Sequence, residues 1–195
     1  MNHFTITNLP LTGLKLITRQ SMGDIRGFLS RLFCAEELAA ANWIKPIAQI
    51  NHTLTAKRGT VRGLHYQDNP LAEMKLVTCI VGEVWDVAVD LRTDSPTFLQ
   101  WHAEILSAVN NYAMLIPEGF AHGFQALTDD AQLLYCHSAL YSSELERALN
   151  VRDPRLSIAW PIPIIELSIR DAEHPLIDAN FKGVRLWTVV TVMHH

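Results

Sequence analysis

The chain has 195 residues, 49% of them apolar and 18% charged, which is the composition of a globular domain with a substantial core. Sixteen basic and 20 acidic residues give a net charge of −4, which argues against a general nucleic-acid binder. Three widely spaced cysteines, with no signal-peptide or membrane-spanning pattern, indicate a cytoplasmic protein without a disulfide framework or membrane partner. We expect a single domain over residues 1–195.

Short runs of β-branched and aromatic residues recur between turn residues and predict many short strands. The predicted strands cover residues 14–18, 28–33, 47–54, 61–65, 76–91 with a turn at Gly82, 101–106, 112–116 and 132–137. Good helix formers predict one short helix over 35–42, and Ser168 is predicted to cap a turn that begins at Ile169. This pattern favours an all-β antiparallel sandwich or barrel with a few short helices, covered by a tail of about residues 162–195.

Arg62 and His65 stand close together in an apolar strand that is flanked by glycines. Their odd spacing places them on opposite faces of a regular strand, but a bulge at Gly63 would bring both to one face. Taken alone, a histidine in a strand is more often structural than catalytic. The neighbouring motifs give His65 its functional weight.

The Pro-x-Gly-x-x-His spacing that ends at His122 resembles the second motif of the cupin β-barrels. Gly59 and His65 fit the first cupin motif, but Gln67 replaces its second histidine, so a metal site would keep only His65, His122 and at most Glu73. Because such sites need three or more well-placed ligands, we expect no metal and no cofactor. Two retained histidines suit acid–base chemistry, while a metal-dependent cupin enzyme stays open as an alternative.

A longer set of motifs occurs in a fixed order along the chain. It comprises DIRGF at 24–28, RGLHYQ at 62–67, KLV at 75–77, DVAVDLR at 86–92, SPTF at 95–98, the segment 116–124, WP at 160–161 and LSxxD at 167–171. Over about residues 14–176 this set resembles the dTDP-4-dehydrorhamnose 3,5-epimerase family. The resemblance implies a cupin-type antiparallel jelly-roll barrel and a homodimer that exchanges its N-terminal segment. It also implies cofactor-free inversion of C3, C5 or both in a nucleotide-linked 4-keto-6-deoxyhexose.

The resemblance implies catalytic roles for four side chains. His65 is the base that removes a proton beside the ketone, and Asp171 orients and stabilises its imidazole. Lys75 holds the developing enolate oxygen, and Tyr135 is the acid on the other side of the sugar ring. Such residue types are needed because a proton next to a ketone is weakly acidic and its removal leaves charge on oxygen.

Substrate contacts follow from the same resemblance. Arginine forks suit a diphosphate, so Arg62 is a candidate, and Arg26 is expected to act across the dimer interface. The remaining predicted substrate contacts are Gln49, Asn51, His122, Phe28 and Tyr141. Independently of the resemblance, Asp86 and Asp90 share one face of a strand, and one of them, Asp86 in preference to Asp90, is expected to fix His122.

Two departures from the family pattern lie near the expected nucleotide. Arg31 stands where the family has a glutamate, and Ile50 replaces a residue that is often polar. The substrate could therefore be a dTDP-, CDP- or GDP-linked sugar, and the nucleotide, the sugar and the number of inverted carbons stay open. A sugar-nucleotide binding protein without catalysis is a further alternative.

Overall fold

The computed structural model describes residues 2–187, in which strands dominate. In chain order the strands are β1 (Phe4–Asn8), β2 (Lys15–Arg19), β3 (Ser21–Asp24), β4 (Gly27–Ser30), β5 (Gln49–Thr55), β6 (Val61–Gln67), β7 (Lys75–Val81), β8 (Glu83–Asp90), β9 (Trp101–Ser107), β10 (Tyr112–Ile116), β11 (Phe120–Ala126), β12 (Ala131–His137) and β13 (Glu146–Ala148). The helices are α1 (Ala35–Leu38), a 3₁₀ turn (Ala39–Ala41) and α2 (Ile169–Glu173). The predicted all-β class with a few short helices is confirmed.

Two antiparallel sheets form the barrel. One has six strands in the order β1-β2-β10-β7-β12-β5, and the other has five in the order β13-β6-β11-β8-β9. Apolar side chains from both sheets meet in a buried core that includes Val77, Met114, Phe124 and Leu133. The barrel forms because the strands of both sheets carry apolar side chains that are buried where the sheets face each other.

The segment after residue 161 packs on the outer side of the five-stranded sheet. Ile177 and Val184 are buried there with Val61 and Val87, and Ile164 packs against the same cluster. Glu166 forms a bridge with Thr60, which brings the start of α2 next to β6. The last part of the predicted tail, residues 188–195, lies outside the described residues.

Most predicted strands are confirmed within one or two residues, and Gly82 separates β7 from β8 with a φ of 74°. The strand predicted over 28–33 is wrong at its end, since β4 stops at Ser30. Beyond that point Phe33 leaves the hairpin and packs edge-to-face on Trp43, with 5.5 Å between ring centroids. The helix predicted over 35–42 ends as a 3₁₀ turn at Ala41, because Asn42 adopts a left-handed conformation.

Strands β3 and β4 pair only with each other and form a two-stranded hairpin. Four large apolar side chains of this hairpin are exposed, namely Met22, Ile25, Phe28 and Leu29. An isolated two-stranded hairpin is only marginally stable in water, so this element needs a further surface to pack against.

Among residues 2–187, no helix has the length and apolar character needed to cross a membrane.

Candidate active site

A cavity of about 650 Å³ opens inside the barrel between the two sheets. Residues of β6 and β11 line one side, residues of β5, β7 and β12 line the other, and α2 borders the mouth. This volume is in the range of pockets that hold small molecules. The predicted residues that line it are His65, Lys75, Tyr135, Asp171, Arg62, Gln49, Asn51, His122 and Tyr141.

A bulge in β6 explains how two residues three apart reach the same cavity. His65 pairs with His122 and Arg62 pairs with Phe124, so β6 carries one more residue than β11 between these pairs. A Cβ atom added to Gly63 would lie 2.5 Å from Cα of Gly123, so the two strands can approach this closely only with glycine. The predicted bulge at Gly63 is confirmed.

His65 and Asp171 form a hydrogen-bonded pair at the cavity wall. Nε2 of His65 lies 2.8 Å from Oδ1 of Asp171, and the backbone N–H of Asp171 donates to Oγ of Ser168. Burial raises the pKa of Asp171, but its hydrogen bond and attraction to His65 outweigh this, and the pKa lies below its usual value. Asp171 is therefore an anion that holds the His65 imidazole in one orientation through Nε2. Nδ1, the second nitrogen of the His65 ring, is not bound to Asp171.

His122 is fixed by a fully buried carboxylate, as the sequence predicts. Nε2 of His122 lies 2.7 Å from Oδ1 of Asp86, while Oδ2 of Asp86 has no hydrogen-bond partner within residues 2–187. Burial raises the pKa of Asp86. The other side of the His122 ring meets Tyr135 of the opposite sheet edge-to-face, with 5.9 Å between centroids. This contact spans the cavity from one sheet to the other.

Tyr135 is on β12, opposite the strand that carries His65. Its side chain is 8% exposed, and it stacks on His137 at 5.9 Å between ring centroids. Burial raises the pKa of the Tyr135 hydroxyl well above its usual value, so the group keeps its proton at neutral pH. Tyr135 can therefore act as a proton donor.

Lys75 belongs to a buried cluster with Glu73 and His137. Nζ of Lys75 lies 3.2 Å from Oε1 of Glu73 and donates to the carbonyl oxygen of His65 at 3.2 Å, while Nδ1 of His137 lies 2.9 Å from Oε2 of Glu73. Burial raises the pKa of Glu73, but Lys75 and His137 outweigh this and the pKa is lowered. The ion pair with Glu73 thus holds Nζ of Lys75 beside the backbone of His65.

Polar residues surround the mouth of the cavity. Oε1 of Gln49 accepts from the backbone N–H of Tyr141, and Nε2 of Gln49 donates to Oδ1 of Asn51. The Tyr141 hydroxyl donates to Oε2 of Glu146, which also pairs with Arg170 at 2.6 Å. Glu146 and Arg170 were not predicted as site residues, because Glu146 lies outside the motifs and Arg170 occupies an unspecified position of LSxxD.

Arg62 is at the cavity wall with its guanidinium only partly engaged. Its Nε donates to Oγ1 of Thr55 and its Nη2 donates to the carbonyl oxygen of Leu54. The remaining donors of a guanidinium suit the oxygens of a phosphate.

Arg26 and Phe28 are not at this cavity within one protomer. They belong to the exposed β3–β4 hairpin, where Arg26 pairs with Asp24 at 2.5 Å. Arg31 is also outside the cavity lining and pairs with Glu37 at 2.5 Å.

The metal set considered from the cupin motifs does not come together. Gln67, which replaces the motif histidine, donates to the carbonyl oxygens of Leu71 and Leu140 and accepts from the backbone N–H of Ser142. Glu73 is bound to Lys75 and His137, as described above. These residues do not fit a cupin metal centre that uses His65 and His122.

The chain has close relatives among characterised proteins. A family model described as dTDP-4-dehydrorhamnose 3,5-epimerase matches residues 8–179. The dTDP-4-dehydrorhamnose 3,5-epimerase of Shigella flexneri is 44% identical over 161 residues, which is 82% of this chain and 88% of the relative. The dTDP-4-dehydrorhamnose 3-epimerase of Streptomyces niveus is 37% identical over 171 residues, which is 87% of this chain and 82% of the relative.

A solved structure shows the same fold. The dTDP-6-deoxy-D-glucose-3,5-epimerase of Legionella pneumophila, in complex with dTDP-4-keto-L-rhamnose, superposes with a TM-score of 0.88 at 38% identity. The match covers 95% of this chain and all of that one. These comparisons confirm the predicted cupin-type fold and the predicted isomerase class, and the chain belongs to the dTDP-4-dehydrorhamnose 3,5-epimerase family.

Proposed function

We propose that this epimerase inverts C3, C5 or both in a dTDP-linked 4-keto-6-deoxyhexose, as a step in deoxysugar biosynthesis. One observation carries the proposal: an imidazole–carboxylate pair and a protonated tyrosine face the same cavity from opposite sheets. A base on one side of a sugar ring and an acid on the other side are what inversion at carbon requires. The relative from Legionella, whose structure holds a dTDP-linked keto sugar, supports the choice of substrate.

The reaction begins at the carbon next to the ketone. The imidazole of His65 takes the proton, the C–H electron pair moves into the new C=C bond, and the ketone oxygen becomes an enolate. The Lys75 ammonium stabilises this charge, since a positive donor inside a water-excluded site is worth far more than in water. The Tyr135 hydroxyl then gives its proton to the opposite face, and solvent restores both side chains.

Positive charge for the diphosphate comes from the cavity mouth. Arg62 offers unengaged guanidinium donors on one side, and Arg170 of α2 lies on another beside Glu146. Planar guanidinium groups bind phosphate oxygens with two parallel hydrogen bonds. Gln49, Asn51 and the other polar residues of the mouth then contact the nucleotide sugar.

A homodimer completes the site in this proposal. The exposed apolar face of the β3–β4 hairpin has Ile25 fully exposed and Phe28 75% exposed, which fits a surface that is covered by a second copy of the chain. Seated on the partner, the hairpin brings Arg26 and Phe28 to the partner's cavity. In this dimer, two single-domain protomers exchange their N-terminal segments.

The double variant Ile25→Glu with Leu29→Glu tests this dimer. Two carboxylates on the apolar face would have to be buried in the interface, so we expect monomers and a loss of epimerase activity. Light scattering after size-exclusion chromatography measures the oligomeric state, and Val109→Glu is the control because Val109 is also largely exposed but lies outside the hairpin. A double variant that stays dimeric would disprove the exchanged hairpin.

The cytoplasm is the proposed location. Cys34, Cys79 and Cys136 are all free thiols, and the two last are buried. Unpaired cysteines fit a reducing compartment.

A substrate panel in D₂O tests the proposed function. The purified protein is given dTDP-, CDP- and GDP-linked 4-keto-6-deoxyglucose, and NMR follows deuterium at C3 and C5 of each. We expect exchange with the dTDP sugar, faster than with the other two, and inversion at the carbons that exchange. Binding of a nucleotide sugar without exchange would favour a non-catalytic binder, and exchange that requires added metal would favour a metal-dependent cupin.

A further inference from the structure

His174 is a second imidazole beside the His65–Asp171 pair, and the proposed reaction does not use it. It follows α2 directly, three residues after Asp171, and its ring centroid lies 6.5 Å from that of His65. The amide of Asn150 donates to the carbonyl oxygen of His174 at 2.7 Å, which holds this position against the barrel. Nε2 of His174 is buried and has no hydrogen-bond partner among residues 2–187.

Three metal-binding donors converge here. One nitrogen each from His65 and His174 and one carboxylate oxygen of Asp171 all lie within 4.8 Å of one another. Zinc binds imidazole nitrogen and carboxylate oxygen at about 2.0–2.2 Å, which places tetrahedral donors about 3.3 Å apart. His65 and Asp171 lie 2.8 Å apart, so a bound ion would move this pair slightly apart and draw the His174 ring closer.

We propose that His65, Asp171 and His174 form an inhibitory site for a divalent transition metal such as Zn²⁺. Two imidazoles and one carboxylate leave a fourth position for water, which is a common zinc arrangement. A metal on Nε2 of His65 leaves the proton of the neutral imidazole on Nδ1, so the nitrogen that would accept the substrate proton is already protonated while the metal is bound. The inhibition rests on the proposed function, whereas the binding of metal does not.

Charge around the site agrees with a cation. Asp171 is an anion. Burial raises the pKa of Glu146, but its hydrogen bonds with Arg170 and Tyr141 and the attraction of His65 outweigh this, so Glu146 is an anion as well. Arg170 is paired with Glu146 and Lys75 with Glu73, so the charges of these two cations are compensated. Because the ligands come from β6, from α2 and from the residue that follows α2, a bound ion also connects the α2 segment to the barrel.

Metal binding is measured first and needs no substrate. Protein stripped with EDTA and then freed of chelator is titrated with Zn²⁺ against a chromogenic chelator, and with Co²⁺ by its visible spectrum. We expect one tetrahedral ion per chain, and a fall in affinity of at least about 100-fold in His174→Ala, the upper end for losing a supporting contact. His174→Cys should restore binding, because a thiolate is a zinc ligand. Equal affinity of the protein and His174→Ala would overturn the site.

Inhibition is measured on the substrate that the panel identifies. Zn²⁺ should stop deuterium exchange by the unaltered protein and EDTA should restore it, while His174→Ala keeps its exchange rate in the same Zn²⁺ concentration. His102→Asn, a change on the outer strand β9, is the control and should stay sensitive. Zinc bound by His174 with exchange undiminished would overturn the proposal. If no substrate exchanges even without metal, the proposed function fails, and the binding experiment alone still decides whether the site exists.

Discussion

His65→Asn is expected to lower deuterium uptake at C3 and C5 by at least about 10⁴-fold, the upper end for loss of acid–base catalysis. The physical reason is that His65, held at 2.8 Å from Asp171, is the most accessible of the three carboxylate-paired histidines that line the cavity: its side chain is 31% exposed, against 6% for His122 and 11% for His137. The amide of an asparagine side chain can still donate a hydrogen bond to Asp171, but it cannot take up a proton from the substrate. Proton NMR in D₂O measures the rate for each carbon separately.

His102→Asn is the matched control for this change. His102 is paired with Glu104 at 2.8 Å on β9 and does not line the cavity, so the same substitution there should leave exchange unchanged. Thermal unfolding of both variants shows whether they fold. Folded His65→Asn protein that still exchanges within 10-fold of the unaltered rate would contradict the role of His65.

Tyr135→Phe should separate proton removal from inversion. The variant keeps His65 and Asp171, so a proton can still leave and return on the same face, and deuterium exchange persists. Inversion should fall by about 10²–10⁴-fold, because the buried hydroxyl that supplies the opposite face is gone. The measurement compares the exchange rate with the rate of product formation in the same sample.

Tyr112→Phe controls for the loss of a tyrosine hydroxyl elsewhere. Tyr112 is on β10, partly buried against the core and away from the cavity. This variant should match the unaltered protein in both rates. Equal loss of exchange and inversion in Tyr135→Phe would show that Tyr135 acts by positioning the substrate and not as the acid.

Local sequence pattern was enough to predict most of the strands, the bulge at Gly63 and a carboxylate partner for His122. The β-branched residues around Val77 mark β7, and the short apolar run around Leu133 marks β12. The odd spacing of Arg62 and His65 next to Gly63 indicated the bulge, because only an extra residue lets both face one cavity. Asp86 and Asp90 on one face of a strand made a carboxylate partner for His122 a prediction, and the structure shows that the partner is Asp86.

The remaining features depend on contacts between distant parts of the chain. Glu73 meets His137 across 64 residues, and nothing in either segment indicates that β7 and β12 are neighbours in the sheet. His174 becomes a neighbour of His65 only because α2 packs beside β6. Arg26 and Phe28 do not line the cavity, and their proposed roles need a second copy of the chain, which no local pattern indicates.

The most direct measurement of the central claim is a single-turnover reaction of the unaltered protein with the dTDP-linked 4-keto sugar in D₂O. We expect each inverted carbon to carry one deuterium from solvent, because the proton that His65 removes is not the one that the opposite side returns. Inversion that keeps the original hydrogen at that carbon would contradict proton abstraction by His65 and delivery from Tyr135.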